Sequence, residues 1–193
     1  MQTMPTAIVL LGPPGSGKGT IASEFGKRGY TPIVMGDLVR QRIKSLSHVN
    51  GGQLLDDNSI AELFLDAVHI PLLHKKDLVL DGCIRTTNQV NMVINGLPEY
   101  QLVFLLLDCP RPISLARVAR RRDEYRAVGS PPREDDEDVV AVERRLDIFW
   151  RSIPEIIFEI ERHNGLGVHT ISVERSVGRV IFSIDKLVSE LVR

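Results

Sequence analysis

Apolar residues gather in five short runs along the chain: AIVLL at 7–11, PIVM at 32–35, LVL at 78–80, LVFLLL at 102–107 and GVHTISV at 167–173. Such runs, with little polar alternation, read as strands buried on both faces and therefore as parallel strands. Between them the apolar positions recur at helical spacing. Val39, Ile43 and Leu46 form one such series, and Ile60 to Ile70 forms another behind the capping residues Asp56, Asp57, Asn58 and Ser59. A further helix is expected from Thr86 or Thr87, and a last one over about 177–192. Strand alternating with helix predicts an α/β fold, a doubly wound parallel five-stranded sheet with helices on both faces and its ligand at the carboxyl ends of the strands. One stretch breaks the rhythm. RRRDEYRAVGSPPREDDED, 120–138, has no apolar period and carries Gly129, Pro131 and Pro132, which predicts a loop between two helices. The helix after it is expected over about 135–152, kinked or restarted by Pro154.

The length of 193 residues confines this pattern to a single domain with at most a small inserted lid. A formal net charge of -1 gives no overall attraction to nucleic acid or an acidic membrane, so neither is an expected partner. Any bound anion must be held by a local basic cluster. The two cysteines, Cys83 and Cys109, form no C-x-x-C pair, which excludes a four-thiolate zinc site and predicts no zinc. The first apolar stretch, Ala7 to Leu11, is too short for a signal or membrane span, so a cytoplasmic location is the expectation; a monomer is the default expectation, which no residue pattern decides.

That local cluster begins at GPPGSGKGT, 12–20, set between the run AIVLL and the helical segment IASEFGKR. Strand, glycine-rich turn and helix in this order make a P-loop. Gly15, Ser16, Gly17, Gly19 and Thr20 are the expected cradle for the phosphates of a nucleoside triphosphate, because glycines let successive backbone N–H groups close on phosphate oxygens. A helix dipole at an exposed end contributes only about 0.3–1 kcal/mol, too little to hold a triphosphate. Lys18 supplies the point charge at the β and γ phosphates. The usual motif places Ser or Thr directly after the lysine, whereas here Gly19 intervenes and Thr20 follows.

This G-K-G-T ending resembles the adenylate kinase family of nucleoside-monophosphate kinases, and the resemblance extends along nearly the whole chain. The family's Ser/Thr-Gly-Asp-x-x-Arg element corresponds to Met35, Gly36, Asp37, Leu38, Val39 and Arg40. It implies that Arg40 grips the acceptor phosphate, with Met35 in place of a hydroxyl residue near the base. Gly52, Gln53, Leu54 and Leu55 resemble the stretch that lines the acceptor base. DGCIRTTNQ, 81–89, resembles Asp-Gly-Phe-Pro-Arg-Thr-x-x-Gln. The resemblance makes Gly82 and Arg85 further acceptor contacts, Gln89 the reader of the adenine edge, and Asp81 the holder of magnesium through its water shell. Cys83 and Ile84 stand where the family has Phe-Pro, which removes an aromatic wall.

Arg117 and Arg121, then Arg133, then Arg144 and Arg145 resemble the family's lid series, in which Arg145, preceding Leu146, is the better match for the last arginine. The resemblance implies that Lys18, Arg85, Arg117, Arg121, Arg133 and Arg145 are catalytic, that Arg117, Arg121 and Arg175 contact ATP, and that Arg133 and Arg145 also reach AMP. Within 1–193 it implies an acceptor-binding helical segment at 36–75 and a short lid at 120–138. The implied reaction is Mg-dependent, ATP plus AMP giving two ADP by direct in-line transfer. Another acceptor (CMP, UMP or dAMP) and a catalytically weak nucleotide-binding regulatory protein remain as alternatives.

Overall fold

The computed structural model describes residues 4–47 and 55–192. Strands β1 (Thr6–Leu11), β2 (Thr31–Val34), β3 (Leu78–Asp81), β4 (Gln101–Asp108) and β5 (Val168–Ser172) pair in parallel in the order β2-β3-β1-β4-β5. All five fall on the apolar runs of the sequence. β1 is central because both of its faces are buried: Ala7, Val9 and Leu11 point into one core and Ile8 and Leu10 into the other. Each of the valine, leucine and isoleucine side chains, fully withdrawn from water, contributes about 1.5–3 kcal/mol. Pro32, which has no N–H to donate, is tolerated because β2 is a sheet edge.

The helices are α1 (Lys18–Gly26), α2 (Met35–Ser47), α3 (Asp57–Leu73), α4 (Thr87–Gly96), α5 (Arg111–Ala127), α6 (Glu134–Glu137), α7 (Val139–Glu161) and α8 (Val177–Leu191). On one face of the sheet Phe64 and Val68 of α3, Val90 and Val93 of α4, and Ile153, Ile156 and Ile160 of α7 fill the larger core. On the other, Ile21, Ala22 and Phe25 of α1 meet Val180, Ile181, Ile184 and Val188 of α8. Strand order reverses at β1, with β3 on one side and β4 on the other, so the crevice beyond its carboxyl end is where such a sheet places a ligand.

Two expectations about helix ends are corrected. The loop expected over 120–138 is mostly helix: α5 continues to Ala127, and only the residues from Val128 to Arg133 separate it from the short α6. No buried face marks α5 there, and polar contacts such as the Arg120–Glu124 ion pair, 3.2 Å, support it instead. Nor does Pro154 restart the following helix, since α7 runs unbroken from Val139 to Glu161. Pro154 lies on the exposed face, where water can replace the missing donor, while Ile153 and Ile156 beside it are buried.

Candidate active site

The turn after β1 is shaped from behind by α5. Gly15 adopts φ 79°, and a Cβ there would lie 2.5 Å from the Ser114 carbonyl oxygen. Ser114, fully buried, donates its hydroxyl to the Pro14 carbonyl. One turn further, Arg117 donates to the Ser16 carbonyl at 3.4 Å and to the Val173 carbonyl at 2.7 Å. Arg117 therefore ties the P-loop to the end of β5, and its guanidinium is not part of the cleft wall. Gly17, at φ 95°, caps α1 without any side-chain hydrogen bond, which leaves the first N–H groups of the helix directed at the crevice.

The crevice is a cleft of about 830 Å³. Its wall carries the cations Lys18, Arg40, Arg85, Arg121, Arg133 and Arg145 against the acids Glu24, Asp37 and Asp81. A chain of net charge -1 thus concentrates positive charge where the strands end, as an anion site requires. Lys18 Nζ donates to the carbonyls of Gly12 (2.7 Å) and Pro13 (3.0 Å). Burial lowers its pKa to about 8, opposed by Asp81 and reinforced by Arg85, Arg145 and Arg121. Burial likewise raises Asp81, which Lys18 and Arg133 pull back down.

Arg40 is paired with Asp37 one helical turn before it and shields Gly36. Arg85 extends from the loop after β3, beside Gly82 at φ 70°. On the opposite side, Arg121 forms a two-pronged pair with Asp136, 2.8 and 2.9 Å, and Arg145 reaches the same carboxylate at 3.3 Å. Asp136 is only 1% exposed, so one buried acid from α6 aligns arginines of α5 and α7. Arg133 lies beside them on the cleft wall.

Residues 11–132 match the family described as an AAA domain. Adenylate kinase of Mesorhizobium japonicum is 30% identical over 76% of this chain and 80% of its own length. This chain belongs to the adenylate kinase family. Adenylate kinase of Borrelia turicatae is 36% identical over 60% of the chain, a match that takes in 58% of that protein. In fold, a gluconokinase from Sinorhizobium meliloti 1021 superposes with a TM-score of 0.62 over 99% of this chain and 95% of its own, at 16% identity. The chain is a P-loop kinase.

As an adenylate kinase family member it departs from the sequence expectations at several places. Gly15, Gly17, Lys18, Gly19, Thr20, Gly36, Arg40, Asp81, Gly82, Arg85, Arg121, Arg133 and Arg145 line the cleft. Ser16 is buried beneath it, its hydroxyl 3.4 Å from Lys18 Nζ. Met35 is buried at the head of α2, and Leu55 precedes α3 without reaching the wall. Arg175 lines a separate shallow groove with Arg179 and Lys186. Gln89 is 7% exposed and turned into the protein. Gln53 and Leu54 lie outside the described residues.

Two contributors went unseen in the sequence. Ile148, Phe149, Ile153 and Ile156 of α7 give the cleft an apolar side. Their helical spacing was visible, but it reads equally as a core stripe. Asp136 falls in the Arg-x-Asp-Asp element of the lid pattern, 133–136, but reads there only as one of the acids at 135–138 available for surface ion pairs, and its burial is what the sequence does not show. Among the described residues no group of three or more His, Cys, Asp or Glu could hold a metal, and no helix is long and apolar enough to cross a membrane.

Proposed function

We propose that this P-loop kinase transfers the γ-phosphoryl group of ATP to a nucleoside monophosphate, with AMP the leading acceptor, giving two ADP. The observation that carries the reading is the convergence of Lys18 and the open N-terminus of α1 on one cleft with two sets of arginines. In this reading Arg40 and Arg85 hold the acceptor phosphate through planar forks of donors. Lys18, Arg121, Arg133 and Arg145 hold the ATP phosphates and the charge that spreads over them during transfer. Arg117 contributes by fixing the P-loop.

A magnesium ion fits the donor set. Asp81 presents a hard carboxylate oxygen against Gly19, at 3.4 Å from where a Cβ there would stand, and Thr20 offers a hydroxyl on the same wall. Magnesium characteristically takes one or two carboxylates together with substrate phosphates, and when bound it neutralises phosphate charge. Asp81, through water, and Thr20 are the residues that would hold it.

An acceptor oxygen bonds to the γ-phosphorus as the bond from that phosphorus to the β,γ-bridging oxygen breaks, leaving the charge on the departing diphosphate. The acceptor phosphate is largely ionised at neutral pH, so the chain need not supply a general base. Cys83 is excluded as a nucleophile, being 1% exposed with its thiol pKa pushed far up by burial. Residues 36–75 supply the acceptor segment and 120–138 the lid, whose closure shields the reaction from water.

The test is a panel of AMP, CMP, UMP, dAMP and gluconate with ATP and magnesium, followed by product chromatography. Diphosphate formation from a monophosphate is expected. ATP binding with no monophosphate turned over would sink the kinase reading in favour of a regulatory nucleotide-binding protein, and phosphorylation of gluconate alone would move the acceptor class.

A further inference from the structure

The first stretch of the cradle has few donors to offer a phosphate. Pro13 and Pro14 carry no N–H, and the N–H of Ser16 goes to the Pro13 carbonyl at 3.1 Å. Between Gly12 and Gly17, among the described residues, the Gly15 amide is the donor left for the crevice, and Pro14 and Gly15 both stand on its wall. That amide belongs to the same trans peptide as the Pro14 carbonyl. In a planar trans peptide the C=O and N–H point in opposite directions, so whatever fixes the carbonyl also aims the donor.

The carbonyl is fixed from α5. The Ser114 hydroxyl, fully buried, donates to it from behind the turn. Gly15 needs such a hold, because a glycine takes φ of either sign about as readily and the peptide before it can swing over. A swung peptide would withdraw the Gly15 N–H and present the partial negative charge of the Pro14 oxygen to the phosphates. The Ser114 carbonyl and Val118 Cγ2, 2.5 and 3.1 Å from where a Gly15 Cβ would stand, keep the Gly15 Cα close to α5 but do not choose between the two peptide orientations.

We infer that Ser114 is a positioning residue for the ATP phosphates, acting through the Pro14–Gly15 peptide to keep the Gly15 N–H turned to the crevice. The inference rests on the reading of this cradle as the ATP-phosphate site, not on which acceptor is used. Ser114, Arg117 and Arg121 lie at i, i+3 and i+7 on α5, on one face of the helix. The helix that aims the cradle amide thus also carries Arg121 to the cleft wall, and holds donor and cation in register.

The experiment measures Kd for MgATP and for inorganic tripolyphosphate by titration calorimetry, with Tm from a thermal melt. It uses the wild type, Ser114→Thr, Ser114→Val, Ser114→Ala and Val142→Ala. Threonine and valine share one shape and differ by the hydroxyl, so comparing Ser114→Thr with Ser114→Val cancels the added bulk. Ser114→Val is expected to bind both ligands about five-fold more weakly than Ser114→Thr, the equivalent of one net hydrogen bond. An equal loss with tripolyphosphate, which has no base, marks an effect on the phosphates. Val142→Ala opens a cavity in the small core that contains Val118 but lies off the cleft wall, and is expected to lower Tm with Kd unchanged. Should Ser114→Val not fold, Ser114→Ala adds no bulk and carries the same expectation against the wild type. Equal Kd in Ser114→Thr and Ser114→Val overturns the proposal, as does a loss seen with ATP and not with tripolyphosphate. It is also overturned if Val142→Ala loses as much affinity as Ser114→Ala, since loosened packing of α5 would then suffice. A wild type that binds neither ligand removes the cradle reading and this proposal together. A wild type that binds ATP and turns over no monophosphate refutes the acceptor reading alone, and the Kd comparison still decides this one.

Discussion

Asp136→Asn isolates what the buried acid of α6 does for the two arginines it holds. The substitution keeps shape and volume, so no cavity forms, but it removes the charge that Arg121 grips at 2.8 and 2.9 Å and Arg145 at 3.3 Å. Stripping one partner from a fully buried pair costs roughly 3–5 kcal/mol. The Arg121 and Arg145 side chains are 30% and 32% exposed, however, so water screens part of the uncompensated charge. A loss of about 1–3 kcal/mol is the expected size after that discount. At about 2–4 °C per kcal/mol for a chain of this length, Tm falls by about 2–12 °C in a thermal melt. Misplacement of an arginine by about 1 Å is worth up to about a hundredfold in rate, so kcat for diphosphate formation drops tenfold or more. The KM for ATP does not rise, because the variant adds net positive charge beside the phosphates. An unchanged kcat accompanying a lowered Tm would refute the idea that these arginines act through Asp136, and a raised KM for ATP with kcat intact would place Asp136 in ground-state binding instead.

Two further outcomes follow from the P-loop. Burial holds the Lys18 pKa at about 8, below its unfolded value of 10.5; between these the unfolded chain binds more protons, so the Lys18 contribution to apo stability rises as pH rises through that window. The Tm difference between wild type and Lys18→Met should shift in favour of wild type from pH 8 to pH 10, and no shift would contradict the assigned desolvation. Gly15→Ala meets both φ 79° and the Ser114 carbonyl 2.5 Å from the new Cβ; a cost of about 1–3 kcal/mol and weakened ATP binding by calorimetry are expected, and a neutral variant would show that the turn relaxes freely.

The sheet was legible because burial on both faces writes an unbroken apolar run, as in AIVLL of β1 and LVFLLL of β4. Helix ends were not legible, for a reason visible in α5. Periodicity registers only apolar positions, and the half of α5 beyond Arg120 buries none, so a helix supported by ion pairs looks like a loop. In α7 the opposite happened: Pro154 signals a break, but its place on the exposed face lowers the cost that a proline imposes inside a packed helix.

The site divides along the same line between contacts local in the chain and contacts made by folding. Gly15 to Thr20 are contiguous, so their spacing contains the geometry of the cradle, and the structure puts Lys18 and its glycines where the turn requires. A motif gives residue type and offset but not direction. Gln89 sits at the family offset from Arg85, and its amide has the right chemistry for a base edge. In the folded chain that amide is hydrogen-bonded to Asp57, 32 residues away in the chain. Arg121 and Arg145 likewise owe their alignment to Asp136, one acid in a run of several. A side chain has a fixed number of donors and acceptors, and tertiary partners that claim them first alter what a motif residue can do for a ligand. The reaction chemistry of such a site can therefore be read from sequence, while its selectivity depends on which of those groups the fold has left facing the cleft.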